Sequence, residues 1–204
     1  NKDGTEGRVG GNAIRCVGKY LYEKGIVPRR EMKIETANGI NEVTVYSFNG
    51  KVNSASVNLG KAELAGENIP CIWKEDKIVN KPATIGGKEY KVTLVNLGNP
   101  HCVVFSEKVD AVDVETVGPL FENCEYFPER INAEFIRVVN RVTIKMRVWE
   151  RGNGETWSCG TGAAAAVVAA VLNGYCDRDT NITVKLRGGD LVVNYHSDGE
   201  VELM

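Results

Sequence analysis

The segment Gly162 to Leu172 is apolar on every side, and this run most limits what the chain can fold into. Its length suits a helix, yet it offers water no polar stripe. Its longest apolar stretch, Ala163 to Leu172, is about half of what a bilayer crossing needs, which predicts a helix enclosed by protein on all sides. The rest of the chain supplies the enclosure. Glu42 to Phe48, Lys88 to Val95, Phe135 to Asn140, Val142 to Trp149, Ile182 to Leu186 and Leu191 to Tyr195 are β-branched and largely alternating, the pattern of strands between Gly-rich turns. A second helix is predicted over Asn12 to Lys24, with Ile14, Val17 and Leu21 as its apolar stripe.

The two helices start alike. Gly10-Gly11-Asn12-Ala13-Ile14 leads into the first and Cys159-Gly160-Thr161-Gly162-Ala163 into the second, about 150 residues apart. Each is followed by a glycine, Gly25 or Gly174, suited to a left-handed C-terminal cap. The repeat predicts an α+β fold of two similar strand-rich halves, each wrapping a buried helix, with a site between them. Strands give way to a polar, helix-compatible stretch at Gly60 to Gly66, which puts the boundary between residues 1–62 and 63–204. The chain opens at Asn1 without a methionine and stops at Met204 just after a hairpin signal, so it reads as a fragment.

A length of 204 residues allows one large domain or two small ones, and 43% hydrophobic with 25% charged residues describes a globular chain. The net charge of -2, with both signs interspersed, excludes the electrostatic footprint of a nucleic-acid binder or of a protein drawn to anionic membranes. A small-molecule partner is expected. Six cysteines without CxxC spacing and without a secretory signal fit free thiols in a reducing cytoplasm better than three disulfides.

Chemistry concentrates in Trp149 to Ala163. A strand ends in Glu150 and Arg151, a glycine-rich loop follows, and Cys159 precedes a helix start. Most cysteines are small buried hydrophobes. At a helix N-terminus the dipole and free N–H groups favour a thiolate, which predicts that Cys159 is the most reactive thiol of the chain. The same turn, with Gly160, Thr161 and Gly162, offers N–H groups to a carboxylate.

At this point the chain resembles the diaminopimelate epimerase family, whose motif Trp-Glu-Arg-Gly-x-Gly-Glu-Thr-x-x-Cys-Gly-Thr-Gly runs along Trp149 to Gly162. Asn1 to Thr5, Leu97 to Cys102 and Phe127 to Phe135 are similar to further family stretches, in order. The resemblance makes residues 1–62 the remainder of an N-terminal epimerase half and 63–204 a C-terminal half. It implies epimerisation of diaminopimelate without pyridoxal phosphate, metal or nucleotide, by two cysteines on opposite faces of the α-carbon, in a cytoplasmic homodimer serving lysine and cell-wall precursor synthesis. It further implies that Glu150 and His101 set thiol protonation, with Glu150 also near the α-ammonium. Gly11, Asn12, Gly160 and Thr161 would take the α-carboxylate, while Asn1, Asn99, Asn132 and Arg151 hold the distal end. Taken alone, Arg151 reads equally as a surface ion pair with Glu150 or Glu155, and His101 as a turn residue. His196 reads as structural.

The resemblance fails at one decisive place. Where the family has Cys-Gly-Asn-Gly-x-Arg-Cys, this chain has Gly10-Gly11-Asn12-Ala13-Ile14-Arg15-Cys16, so the first catalytic cysteine falls on Gly10. Val9 is equally inert, and Cys16 corresponds to the motif's second cysteine. The alternatives are a catalytically silent ligand-binding paralogue, or a related racemase or dehydratase using Cys159 for a different proton transfer.

Overall fold

The computed structural model describes residues 10–36 and 39–204. The expectation placed on Asn1 lies outside them. In chain order the elements are helix α1 (Gly11–Glu23), strands β1 (Glu31–Thr36), β2 (Gly39–Phe48), β3 (Lys51–Lys61), β4 (Lys81–Ile85), β5 (Lys88–Asn96) and β6 (Pro100–Phe105), helix α2 (Val114–Glu122), strands β7 (Asn132–Asn140), β8 (Thr143–Glu150) and β9 (Gly154–Thr156), helix α3 (Gly160–Leu172), and strands β10 (Asn181–Leu186), β11 (Gly189–Tyr195) and β12 (Glu200–Leu203).

Eleven of the described strands form a continuous path ordered β1-β2-β3-β12-β11-β10-β8-β7-β6-β5-β4, and β9 pairs with β8. Neighbours are antiparallel except β10 with β8 and β6 with β7. The last strand is inserted between early and late elements, since Leu203 pairs with Val57 on one side and Val193 on the other. In this strand-rich α+β arrangement α1 packs on β2 and β3, α2 on β7 to β9, and α3 against the strands in the middle of the path. All six strands expected from the sequence are present, most of them longer by a few residues.

α3 is as enclosed as its sequence demands: every residue from Gly160 to Ala170 is buried, with β5 to β8 and β10 to β12 around it. Its predicted start at Gly162 moves two residues earlier. α1 lies on β2 and β3 with one face in water, and its only buried residues are two glycines, Gly11 and Gly18. The expected stripe is corrected here. Ile14 and Leu21 pack on the core, but Val17 is 40% exposed and Gly18 takes the inner position. A Cβ at Gly18 would come within 2.7 Å of Val43 Cγ1, so only glycine lets the helix settle on β2. Both helices end as expected, with Gly25 and Gly174 in the left-handed region and overlapping turns closed by Ile26 N–H to Leu21 O (3.0 Å) and Tyr175 N–H to Ala170 O (2.9 Å).

The sequence reading missed α2. Gly118 and Pro119 interrupt its helical pattern, but Asp113 caps it by accepting the Thr116 N–H at 3.3 Å. Gly118 is dictated by packing, because a Cβ there would lie 2.4 Å from the Trp149 ring. α2 covers a second apolar cluster that includes Phe121, Phe127 and Phe135. The stretch at Gly60 to Gly66 is not helical; Glu63 bridges to Asn96 and only a short 3₁₀ turn, Gly66–Asn68, follows.

Candidate active site

The starts of α1 and α3 meet over one side chain. A Cβ on Gly11 or on Gly160 would each lie 2.8 Å from Leu203 Cδ2, so both helix tips need glycine in order to close on it. Asn12 Nδ2 donates to Ser158 Oγ at 3.3 Å, while Arg15 Nη2 donates to Asn12 Oδ1 at 2.7 Å and fixes that amide. Two sets of first-turn N–H groups are thereby brought side by side, which makes a doubly positive place for an anion.

Residues 10 and 159 are the equivalent N-caps. Gly10 has φ -127° and ψ 66° and makes no side-chain cap. This φ suits any residue, and among the described residues a Cβ there would meet Ala13 Cβ at 3.5 Å, an ordinary contact. Cys159, only 8% exposed, accepts the Gly162 N–H on Sγ at 3.3 Å and lies 3.7 Å from Thr161 Oγ1. The expectation that the helix start lowers its pKa is corrected. Burial first, then the charges of Glu150 and Glu134, push the thiol up to about 12, and the Gly162 N–H and Thr161 hydroxyl oppose this without winning. Loss of hydration outweighs a single turn of N–H groups when the neighbouring charges are acidic. The resting group is a neutral thiol.

Behind Cys159 the side chains connect. His101 and Glu134, both wholly buried, are 2.6 Å apart through Nδ1 and Oε1. His101 Nε2 meets Asn99 Oδ1 at 3.0 Å, and Asn99 Nδ2 donates to Thr161 Oγ1 at 3.2 Å. Burial raises the pKa of Glu134, and Glu150 adds to the shift, while His101 works against it. Glu134 was not foreseen. Glu134 precedes the strand expected over Phe135 to Asn140, and an acid between the apolar Ala133 and Phe135 reads by alternation as solvent-facing.

Glu150 accepts from the Thr156 hydroxyl across the β8–β9 turn. Asn132 joins two segments, donating to Pro100 O at 2.8 Å and accepting the Arg151 N–H at 2.9 Å. The Arg151 guanidinium donates to Glu129 O at 3.0 Å and forms no ion pair among the described residues. Glu155 instead takes Arg147 and Arg187. Glu122, also unforeseen, holds the turn from α2 by accepting from Trp149 Nε1 at 2.6 Å and from the Gly152 N–H at 2.8 Å. The structure thus brings together Gly10, Gly11, Asn12, Cys159, Gly160 and Thr161 at the helix tips, with Asn99, His101 and Glu134 behind them. Asn132, Glu150 and Arg151 form the adjoining turn. His196 stands apart at the β11–β12 hairpin, 3.5 Å from Asp179.

In three dimensions the chain is similar to a probable proline racemase from Agrobacterium radiobacter, with 16% identity and a TM-score of 0.67 over 95% of this chain and 62% of that one. It is also similar to a hydroxyproline epimerase from Agrobacterium vitis, with 14% identity and a TM-score of 0.68 over the same shares. The chain therefore spans about three fifths of these two structures, and it shares the fold of this class of racemase and epimerase proteins. A family model described as diaminopimelate epimerase matches residues 93–204. Diaminopimelate epimerases from Acetivibrio thermocellus and Bacillus licheniformis are 46% and 45% identical, covering 97% and 98% of this chain and 70% and 71% of their own lengths. The chain belongs to the diaminopimelate epimerase family.

Proposed function

We propose that this site belongs to a cofactor-independent epimerase interconverting LL- and meso-diaminopimelate for lysine and peptidoglycan precursor synthesis, and that this chain retains one half of a two-thiol proton-transfer site. The observation that carries this is the meeting of two helix starts at Leu203 through Gly11 and Gly160, one start capped by a thiol and the other by Gly10. The substrate α-carboxylate takes N–H groups from Gly11, Asn12, Gly160 and Thr161, which stabilise the charge developing as the α-proton leaves. In one direction the Cys159 thiolate takes that proton: the C–H bond breaks, an S–H bond forms, and the electron pair stays on the carbon and its carboxylate. A second thiol at position 10 would then deliver a proton to the opposite face.

The resting Cys159 is protonated and loses that proton to solvent before the step, and the α-ammonium bound beside Glu150 eases the loss by offsetting part of the acidic charge that opposes it. His101 acts behind it. Asn99, Asn132 and Arg151 hold the distal end, where a planar guanidinium suits a carboxylate. Six free cysteines among the described residues accord with a cytoplasmic setting, and family membership with a homodimer.

With glycine at position 10 the α1 cap itself carries no acid or base, which favours a second outcome: binding without epimerisation. Incubation with diaminopimelate in deuterated water separates them. Unchanged stereoisomer ratio, with slow α-deuteration at one configuration, is expected; efficient interconversion by the unaltered chain would refute the two-thiol assignment. Tight binding with neither exchange nor interconversion would identify a silent binding protein.

A further inference from the structure

The Glu134 carboxylate is fully buried, and its only side-chain partner among the described residues is His101: Oε1 is engaged at 2.6 Å, while Oε2 has no hydrogen-bond partner. A buried carboxylate with an orphan oxygen is costly, and a fold keeps one only when the engaged oxygen matters. From there the contacts can be followed to the thiol. Because Asn99 Nδ2 donates to Thr161 Oγ1, the Asn99 oxygen faces His101 Nε2, and that contact requires a hydrogen on Nε2. Thr161 Oγ1, already receiving an N–H, has its own hydrogen free for Cys159 Sγ. Gly162 N–H adds a second donor to the same sulfur. Every contact therefore points one way, from the histidine towards the sulfur.

We infer that Glu134 is a positioning residue, which anchors the His101 ring so that a hydrogen-bond chain through Asn99 and Thr161 ends on Cys159 Sγ as its acceptor. Glu134 never touches substrate in this arrangement. It acts through ring orientation: with Nδ1 tied to the carboxylate, Nε2–H is aimed at Asn99, which in turn presents its amide nitrogen to Thr161. The packing leaves no slack, because a Cβ on Gly162 would lie 2.9 Å from Glu134 Oε1 and 3.1 Å from Cys159 Sγ. Carboxylate and sulfur thus press on one glycine from two sides. The inference rests on Cys159 being the proton-transferring thiol, and its test does not depend on turnover.

Two readouts apply to the full chain. First, nitrogen-15 spectra of the imidazoles, of which there are only two (His101 and His196), should show Nε2 of His101 protonated, and proton spectra a strongly deshielded proton held in the short contact between Nδ1 and Glu134 Oε1. That proton signal should vanish in Glu134→Gln. Second, iodoacetamide labelling of Cys159 at fixed pH, read by peptide mapping, should slow in Thr161→Val and in Glu134→Asp, which keeps the charge but withdraws the carboxyl group from the ring. The loss of one neutral hydrogen bond corresponds to a slowing of roughly two- to tenfold. Thr161→Ser should recover the rate that Thr161→Val loses, which keeps the terminal link testable should Glu134→Gln not fold. An unchanged labelling rate in Glu134→Asp would make Glu134 merely a neighbouring charge and overturn the chain, as would equal rates in Thr161→Val and the unaltered protein. If the labelling pattern holds and no diaminopimelate binds, the functional proposal falls while the chain stands.

Discussion

The two helix tips meet the same side chain, with similar φ at their caps (-127° and -120°), and are opposites in chemistry. The tip of α3 is sealed in the core, capped by a sulfur that receives an N–H, and backed by connected polar side chains. The tip of α1 reaches the same Leu203 through Gly11 but carries a bare Gly10, and the helix behind it presents Val17 and Tyr20 to water. A binding geometry and a reactive group are thus separable properties of a helix start. Backbone N–H groups come with the fold, whereas the proton carrier is one replaceable side chain.

The largest effect expected from this contrast is that of Gly10→Cys. In a chain extended with the terminal segments of a full-length relative, it should raise epimerisation by about 10²–10⁴-fold, the usual range for a positioned proton-transfer group. A polarimetric or chiral-chromatography assay decides it. No gain despite intact binding would mean that the α1 tip is not aligned on the α-carbon. The backbone gives no reason for failure, since φ at residue 10 is ordinary and a Cβ there makes only an ordinary contact, with Ala13, among the described residues.

Next in size, Arg151→Ala should weaken diaminopimelate binding about ten- to hundredfold, equivalent to ~1.5–3 kcal/mol for a charge-assisted contact, while Arg29→Ala on the α1 side leaves it unchanged. Calorimetric titration of both variants would reveal equal affinities if Arg151 serves only Glu129. Burial contrasts the helices in stability too. Ala166→Leu, at a fully buried position of α3, should cost about 1–3 kcal/mol by overpacking, whereas Val17→Leu on α1 should stay within ~0.5 kcal/mol. Urea unfolding midpoints give both values.

The smallest effect concerns thiol order and pH. Near neutral pH the exposed Cys16 of α1 should label before Cys159, whose thiol is buried and pushed up to about 12. Because that folded value lies above the ~8.5 of an unstructured thiol, the neutral group contributes stability that is complete below pH ~8.5. The contribution is lost as pH rises towards about 12, and Cys159→Ala should flatten this part of the alkaline unfolding curve. Faster labelling of Cys159 than of Cys16 would show that the unliganded thiol is ionised after all.

α3 could be read from the sequence because an all-apolar run admits only one environment, and the strands because alternation survives wherever one face is buried. What failed were features decided by packing between distant segments. Gly18 rather than Val17 faces β2 because Val43 leaves room only for a hydrogen, and α2 hides behind a glycine demanded by Trp149. At the site, Cys159, Gly160 and Thr161 were legible from local chemistry. Glu134 and Glu122 were not, since an acid in an amphipathic pattern looks solvated until its partner is known. The thiol pKa went wrong for a related reason: the helix start is local and visible, whereas the burial and the two acids that outweigh it are supplied by the tertiary fold.

Leu203 gives the site a position in time as well as in space. It pairs with Val57 and Val193, and both helix tips close against its side chain. A chain emerging residue by residue has made α1, then α3, long before it makes β12. Until that strand slides between β3 and β11, the two sets of N–H groups have nothing to hold them together. Contacts between segments so far apart in sequence form late and slowly. The pocket for the carboxylate should therefore appear only once β12 has seated between β3 and β11, and ligand protection should report that pairing.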